Sequence, residues 1–352
     1  MLHPIGCAAC GIDIHAHVVP ERFPAYLGRT VPSPWPATAD ALPAKGLCHR
    51  QVLINGKHYR TVSELCWSPA RRLADLPPMG LAHQVLSPMP ELLSYWLELA
   101  DARPLVRYLN EQTAAMCAES GGRLLGLAAV PLQDIDAAIE ELRHASGALG
   151  LVGVEIGSNV NGLVIGDARF DPFFEACVAL DLPVFVHALK PAGMDRLVGP
   201  APLQQVLAYP TDVGLAAASV ITGGLLQRQP ALRIAFSHGG GTLAALLPRL
   251  QQGWKTFPTL ADSMPVSPAA QARRLYFDTL VFDAPMLRHL VATFGAESLM
   301  LGTDHPFNFH EPRPLERLDE AGLDATTRDA LAFGNARRFL GRALSGLETT
   351  AP

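Results

Sequence analysis

Five residues in this chain have types and spacings suited to chemistry on a divalent cation. Asp13-Ile14-His15-Ala16-His17 sets two imidazoles two positions apart, so on an extended strand both leave the same face. His187 closes the apolar run Leu182-Pro183-Val184-Phe185-Val186, and His238 follows Leu232-Arg233-Ile234-Ala235-Phe236-Ser237. Asp304 ends Leu299-Met300-Leu301-Gly302-Thr303, a costly place for a carboxylate unless it is paired or bound to metal. Taken singly, each has an ordinary reading: a polar pair at a strand end, a hydrogen-bonded core histidine, a helix N-cap. Together, three histidines and a carboxylate suit zinc with one position left open for water, whose acidity the metal raises. His15, His17, His187 and Asp304 are the expected ligands, and His238 the unligated acid–base residue. The glycines at 239–241 would let backbone approach a ligand closely, and a helix follows them.

These residues need a scaffold that gathers strand ends. Apolar runs at residues 11–15, 83–87, 124–130, 151–156, 183–187, 232–237, 275–279 and 299–303 mostly lack period-two alternation, as strands buried on both faces do. Amphipathic stretches at 136–148, 172–180, 213–229, 243–254 and 285–294 lie between them, and 325–342 reads as a closing helix. Eight such units predict an α/β fold, a (β/α)8 TIM barrel formed by the whole chain, 1–352. In that fold the C-terminal strand ends converge on one mouth. The polar residues above stand at the ends of strands one, five, six and eight, so one shared site explains them better than four separate accidents. Residues 20–76, rich in Pro and Gly with short β-like pieces at 51–54 and 58–62, read as an insertion after strand one, a lid or substrate-binding flap.

Bulk composition agrees. Of 352 residues, 49% are hydrophobic and 17% charged, enough for a large core and unlike a disordered chain. The net charge of −5 and the lack of a basic cluster argue against nucleic acid as a partner. No apolar run has the length of a membrane span, and the start lacks the pattern of a signal peptide. The six cysteines, Cys7, Cys10, Cys48, Cys66, Cys117 and Cys177, are ordinary usage for a cytoplasmic protein. Cys7 and Cys10 form a lone C-x-x-C before the first strand, read as chance. There is no repeat or low-complexity tract, and the tail 347–352 is expected to fray.

The constellation resembles the metal-dependent amidohydrolase superfamily, of the amidohydrolase 2 type. Within it the chain is similar to the non-oxidative decarboxylases typified by aminocarboxymuconate-semialdehyde decarboxylase. The resemblance runs over nearly the whole chain, through IDIHAH (12–17), VPLQD (130–134), FVH (185–187), FSHGGG (236–241) and LGTDHPF (301–307). It implies metal ligation by His15, His17, His187 and Asp304, and catalysis by His238 with Asp304. The strand-four segment Val154-Glu155-Ile156-Gly157 lacks the lysine that binuclear members carboxylate, which implies one metal. The resemblance also implies that Arg60 binds a substrate carboxylate. Arg249, eleven positions after His238, would reach into a neighbouring subunit's site, and hence a homodimer. Guanidinium forks suit carboxylates. Two departures concern the pocket: Ala188-Leu189-Lys190 replaces the family's proline and tryptophan, and His305 stands where an aromatic residue is common.

The function these expectations imply is loss of CO₂ from a small carboxylated muconate semialdehyde or hydroxylated aromatic acid at one divalent metal, zinc by its donor set. A metal-dependent hydrolase of an amide, lactone or C–C bond is the alternative. A barrel kept only for binding would be expected to lose a ligand or His238, and this chain retains them all.

Overall fold

The computed structural model describes residues 11–24 and 35–341; Cys7, Cys10, Arg342 and the tail 347–352 lie outside them. Eight parallel strands follow the chain in order: Gly11–Val18, Leu81–Pro88, Leu124–Ala128, Gly153–Gly157, Val184–His187, Ile234–Phe236, Tyr276–Asp278 and Leu299–Met300. Each corresponds to one of the eight expected runs. The ring closes through backbone bonds between its first and last members. Ile14 N donates to Leu301 O at 2.9 Å and His17 N to His305 O at 2.8 Å. The fold is therefore the (β/α)8 barrel.

The strands form where they do because both faces are covered. All eight residues of the first strand are buried, and Val154, Ile156, Val184, Val186 and Ile234 are fully buried. Ile12, Leu125, Leu127, Phe185 and Met300, from different strands, share one cluster with Phe339 and Leu340 of the last described helix. Residues spread round the ring in this way meet in its interior, which is a packed core and no pore. A larger cluster joins strands to the surrounding helices.

Four of the expected helices recur within two residues of their expected ends: Ile135–Gly147, Asp171–Ala179, Leu243–Thr256 and Ala284–Phe294. The segment 213–229 is instead two helices, Tyr209–Thr222 and Leu225–Arg228, parted at Gly224, whose φ is 72°. A left-handed residue there ends the first helix and starts the second. The closing segment is a helical run with a π-turn at Ala330–Gly334 between Ala325–Asp329 and Asn335–Leu340. The 20-residue helix Leu99–Ala118 was not expected.

The insertion holds an antiparallel sheet of Ala37–Asp40, His49–Ile54 and Lys57–Ser63. The strands containing 51–54 and 58–62 were anticipated; the edge strand was not. Val52 and Val62 pack with Leu105 and Leu109 of the long helix and with Phe307 beyond the last strand. This packing fixes the sheet beside the C-terminal mouth of the barrel. No helix among the described residues is long and apolar enough to cross a membrane.

Candidate metal centre

The first strand presents His15 and His17 on one face, as their spacing requires, with Nε2 atoms 3.1 Å apart. His187, the last residue of strand five, and Asp304, beyond strand eight, complete the group. One donor atom from each of the four lies within 4.8 Å of all the others. Asp304 Oδ1 is 3.0 Å from His17 Nε2 and 3.7 Å from His15 Nε2.

The outer nitrogen of each imidazole has an acceptor. His15 Nδ1 donates to Asp278 Oδ2 (2.7 Å), His17 Nδ1 to Pro88 O (3.1 Å) and His187 Nδ1 to Ala188 O (2.9 Å). With the proton held at Nδ1, all three Nε2 lone pairs face inward. His187 Nε2 and Asp304 Oδ1 are buried with no hydrogen-bond partner among the described residues. Inward lone pairs beside a carboxylate oxygen repel one another unless a cation sits among them. The residues therefore fit one divalent cation.

Protonation states point the same way. Burial pushes the His17 and His187 pKa values down, His187 the further, so both are neutral donors near pH 7. Burial alone would raise the Asp304 carboxyl, but His17 and His15 hold it down at about 2. His15 also loses basicity to burial, yet Asp278 more than restores it.

Backbone strain holds two of the groups. Asp304 has φ 65° and His238 φ 55°, a left-handed region that costs a non-glycine residue about 1–3 kcal/mol. Asp278, at the end of strand seven, sets the His238 turn: its two oxygens accept His238 N (2.9 Å) and Gly239 N (2.7 Å). The three glycines answer a packing demand within the protein. A Cβ on Gly241 would sit 1.8 Å from Pro210 O, and one on Gly240 2.5 Å from the Phe277 ring. His238 lies beside His187, ring centroids 4.9 Å apart, and burial lowers its pKa to about 4. It is thus a neutral base whose Nδ1 faces Ser237 Oγ at 3.2 Å.

Behind the first strand a buried network fixes the ligands. Fully buried Arg72 donates to His17 O (2.5 Å) and to Gln84 Oε1 (2.9 Å). Gln84 and Thr303 in turn donate to Asp13 Oδ2, at 2.8 and 2.6 Å. Strand four carries no lysine, and its one ionisable side chain is the fully buried Glu155. It accepts from Ser87 Oγ at 3.1 Å, and burial raises its pKa well above the usual range.

One cavity of about 280 Å³ joins these groups to the surface. His17, His187, His238 and Asp304 lie on its wall with Arg60, Glu91, Tyr209, Phe282 and Phe307. Arg60, from the inserted sheet, stacks its guanidinium 3.9 Å from the Phe307 ring centre. It makes no ion pair and no hydrogen bond among the described residues, so its donors are open to an anionic ligand. Arg249 is exposed on the helix Leu243–Thr256 and does not line this cavity.

The two departures resolve differently. His305 is buried off the cavity, with Nε2 2.8 Å from Asp75 Oδ2. Lys190 lies over the Trp96 ring, 3.5 Å from its centre, on a second cavity of about 360 Å³. Neither lines the cavity of the metal ligands. Asp278, Glu91 and the Arg72 network are the residues the sequence reading missed. Asp278 alone had a local signal, a carboxylate ending an apolar strand just as Asp304 does.

Comparison with known proteins follows this geometry. A family model described as amidohydrolase matches residues 12–342. A 2-amino-3-carboxymuconate-6-semialdehyde decarboxylase of Dictyostelium discoideum is 34% identical over 334 residues, covering 94% of this chain and 91% of that protein. An IDCase of Metarhizium anisopliae, solved in apo form, superposes with a TM-score of 0.77 at 21% identity, covering 94% and 96% of the two chains. A dihydroxybenzoic acid decarboxylase of a Polaromonas species, with manganese and 2-nitroresorcinol bound, gives 0.67 at 22% identity, covering 77% and 85%.

Proposed function

This chain belongs to the amidohydrolase family, and from that premise we propose that it is a metal-dependent, non-oxidative decarboxylase. Its substrate is a small carboxylated muconate semialdehyde or a hydroxylated aromatic acid. The carrying observation is one cavity that joins a buried cluster of inward donors to the guanidinium of Arg60, unpaired among the described residues. His15, His17, His187 and Asp304 hold one divalent cation, zinc by the preference of a three-histidine, one-carboxylate set. Manganese in the Polaromonas relative makes that metal the competitor.

A cation held there supplies Lewis acidity to the end of the substrate nearest it. The protein's own groups do the rest. Arg60 holds the substrate carboxylate through its free guanidinium donors. The Phe307 ring stacked on Arg60 restricts that side chain, so less freedom is lost on binding. As the C–C bond to CO₂ breaks, its electron pair stays on the ring or chain carbon. His238, neutral by burial, takes up a proton from solvent water and delivers it to that carbon, which completes the exchange of CO₂ for hydrogen. Asp304 lies close enough to stabilise the charged form of His238, as its field on that imidazole indicates.

Arg249 acts in the partner's site of a homodimer: it is exposed, without an ion pair or hydrogen bond among the described residues, and off its own cavity. The inserted sheet, supplying Arg60 to the cavity wall, serves as the substrate flap of a single barrel. The protein works in the cytoplasm, where Cys48, Cys66, Cys117 and Cys177 stay reduced; all four are free thiols. The hydrolase alternative has no observation of its own. The direct test is CO₂ release by purified protein from a panel of carboxymuconate semialdehydes and hydroxybenzoates. Release from one compound supports the reading, and turnover only of amides or lactones overturns it.

A further inference from the structure

Two tyrosines from distant parts of the chain converge on one carboxylate oxygen at the cavity wall. Tyr209 Oη, at the start of the helix Tyr209–Thr222, donates to Glu91 Oε1 at 2.5 Å. Tyr59 Oη, from the inserted sheet next to Arg60, donates to the same oxygen. The two hydroxyls are 3.2 Å apart, and Gln204 Nε2 reaches Tyr209 Oη at 3.3 Å. Burial first, and then the Glu91 charge, push both tyrosines above their ordinary range, so they remain protonated donors. Oε1 is saturated by this arrangement.

The other oxygen is not. Glu91 Oε2 is buried and has no hydrogen-bond partner among the described residues. Arg60 feels the Glu91 charge, yet no ion pair or hydrogen bond joins them. A carboxyl oxygen stranded without a donor in a low-dielectric wall is costly, and it is ready to accept from whatever donor arrives. Glu91 lines the cavity of the metal ligands and also the second cavity beyond it. Arg60 and Glu91 thus share the wall of the first cavity, and a ligand filling it packs against both.

We propose that Glu91 is a specificity-determining residue that accepts a hydrogen bond at Oε2 from an N–H or O–H group of the substrate. Tyr59 and Tyr209 are positioning residues that occupy Oε1 and aim the carboxylate. The inference rests on the decarboxylase reading and narrows its substrate class to small carboxylates carrying an amino or hydroxyl donor. A carboxylate lacking any donor leaves Oε2 unpaired in the closed complex, and the site rejects it for that reason.

The test is calorimetric binding to the metal-loaded protein of matched ligands: 2-hydroxybenzoate, 2-aminobenzoate and 2-fluorobenzoate. Wild type is expected to bind a donor-bearing member about ten- to a hundredfold more tightly than the fluoro isostere, the worth of a hydrogen bond to a charged acceptor. A preference for the hydroxyl over the amine, or the reverse, identifies which donor the site reads. Glu91→Gln is expected to shrink the preference to within about threefold, while affinity for the fluoro compound changes little. A preference of unchanged size in Glu91→Gln, which a hydroxyl or amine acting at the metal would give, overturns the assignment. Equal binding of all three by wild type overturns it without any variant, and leaves the decarboxylase reading standing. Binding of none of them overturns the assignment for benzoates, and the decarboxylase reading then stands or falls on CO₂ release from the muconate semialdehydes.

Discussion

Asp278 Oδ2 stands 2.7 Å from His15 Nδ1, and the same carboxylate accepts the backbone N–H groups of His238 and Gly239. One buried side chain thus orients a metal ligand and sets the turn that carries the acid–base histidine. Asp278→Asn keeps the shape but lacks the charge that fixes His15. Metal affinity should fall about 10- to 100-fold, with a further drop in kcat at saturating metal because the His238 turn loosens. Competition against a chromogenic chelator measures the first effect. Unchanged affinity would show that Asp278 only shapes the turn.

His238 makes no contact that metal binding requires. His238→Ala should retain one metal per chain and lose about 10²- to 10⁴-fold in kcat, read as CO₂ release. Loss of the metal, or turnover within a few-fold of wild type, would remove His238 from the proton-transfer role.

Arg60 and Arg249 are separable because only Arg60 lines its own chain's cavity. Arg60→Ala should raise KM about 10- to 100-fold, the worth of charged hydrogen bonds. If Arg249 serves the partner's site, Arg249→Ala should resemble it. Mixing the two variants, assayed at substrate well below their raised KM, should then restore about a quarter of wild-type activity, one site in each mixed dimer of a statistical mixture being intact. No recovery in verified mixed dimers would count against an arginine in trans.

The metal-free protein should lose stability in mild acid. Burial depresses His238 and His305 to about 4 in the folded state, against an ordinary 6.5 for a solvated imidazole. The unfolded chain therefore binds protons first as pH falls. Stability is full above about 6.5, declines through the interval and levels off below about 4, by roughly 3 kcal/mol per histidine. Thermal melts of the chelated protein from pH 7.5 to 4.5 should show Tm falling across that window. A flat Tm would mean that these imidazoles are more solvated than their burial indicates.

Much of this was legible because barrel strands bury both faces. Apolar runs without alternation located all eight, and the polar residues closing four of them located the donor cluster. The signals that failed were local ones. Ala37–Asp40, an edge strand of alanine, threonine and aspartate, carries no apolar pattern. The helix Leu99–Ala118 is interrupted on paper by Pro104, although its buried face, Ala102, Leu105, Val106, Leu109 and Met116, has helical spacing. Asp278 sat inside a predicted strand and met the test that singled out Asp304, yet only the folded ring sets it beside His15, 263 positions away in the chain. Glu91 and its tyrosines had no sequence signal, since their meeting spans 118 positions between Glu91 and Tyr209.

The most direct measurement is metal content against CO₂ release in one preparation, before chelation, after it, and after reloading with zinc or manganese. The account predicts about one divalent cation per chain. It predicts decarboxylation that disappears on chelation and returns on reloading, most fully with zinc. CO₂ release that persists in metal-free protein would contradict it, as would a fully loaded protein that decarboxylates none of the carboxylated muconates or hydroxybenzoates.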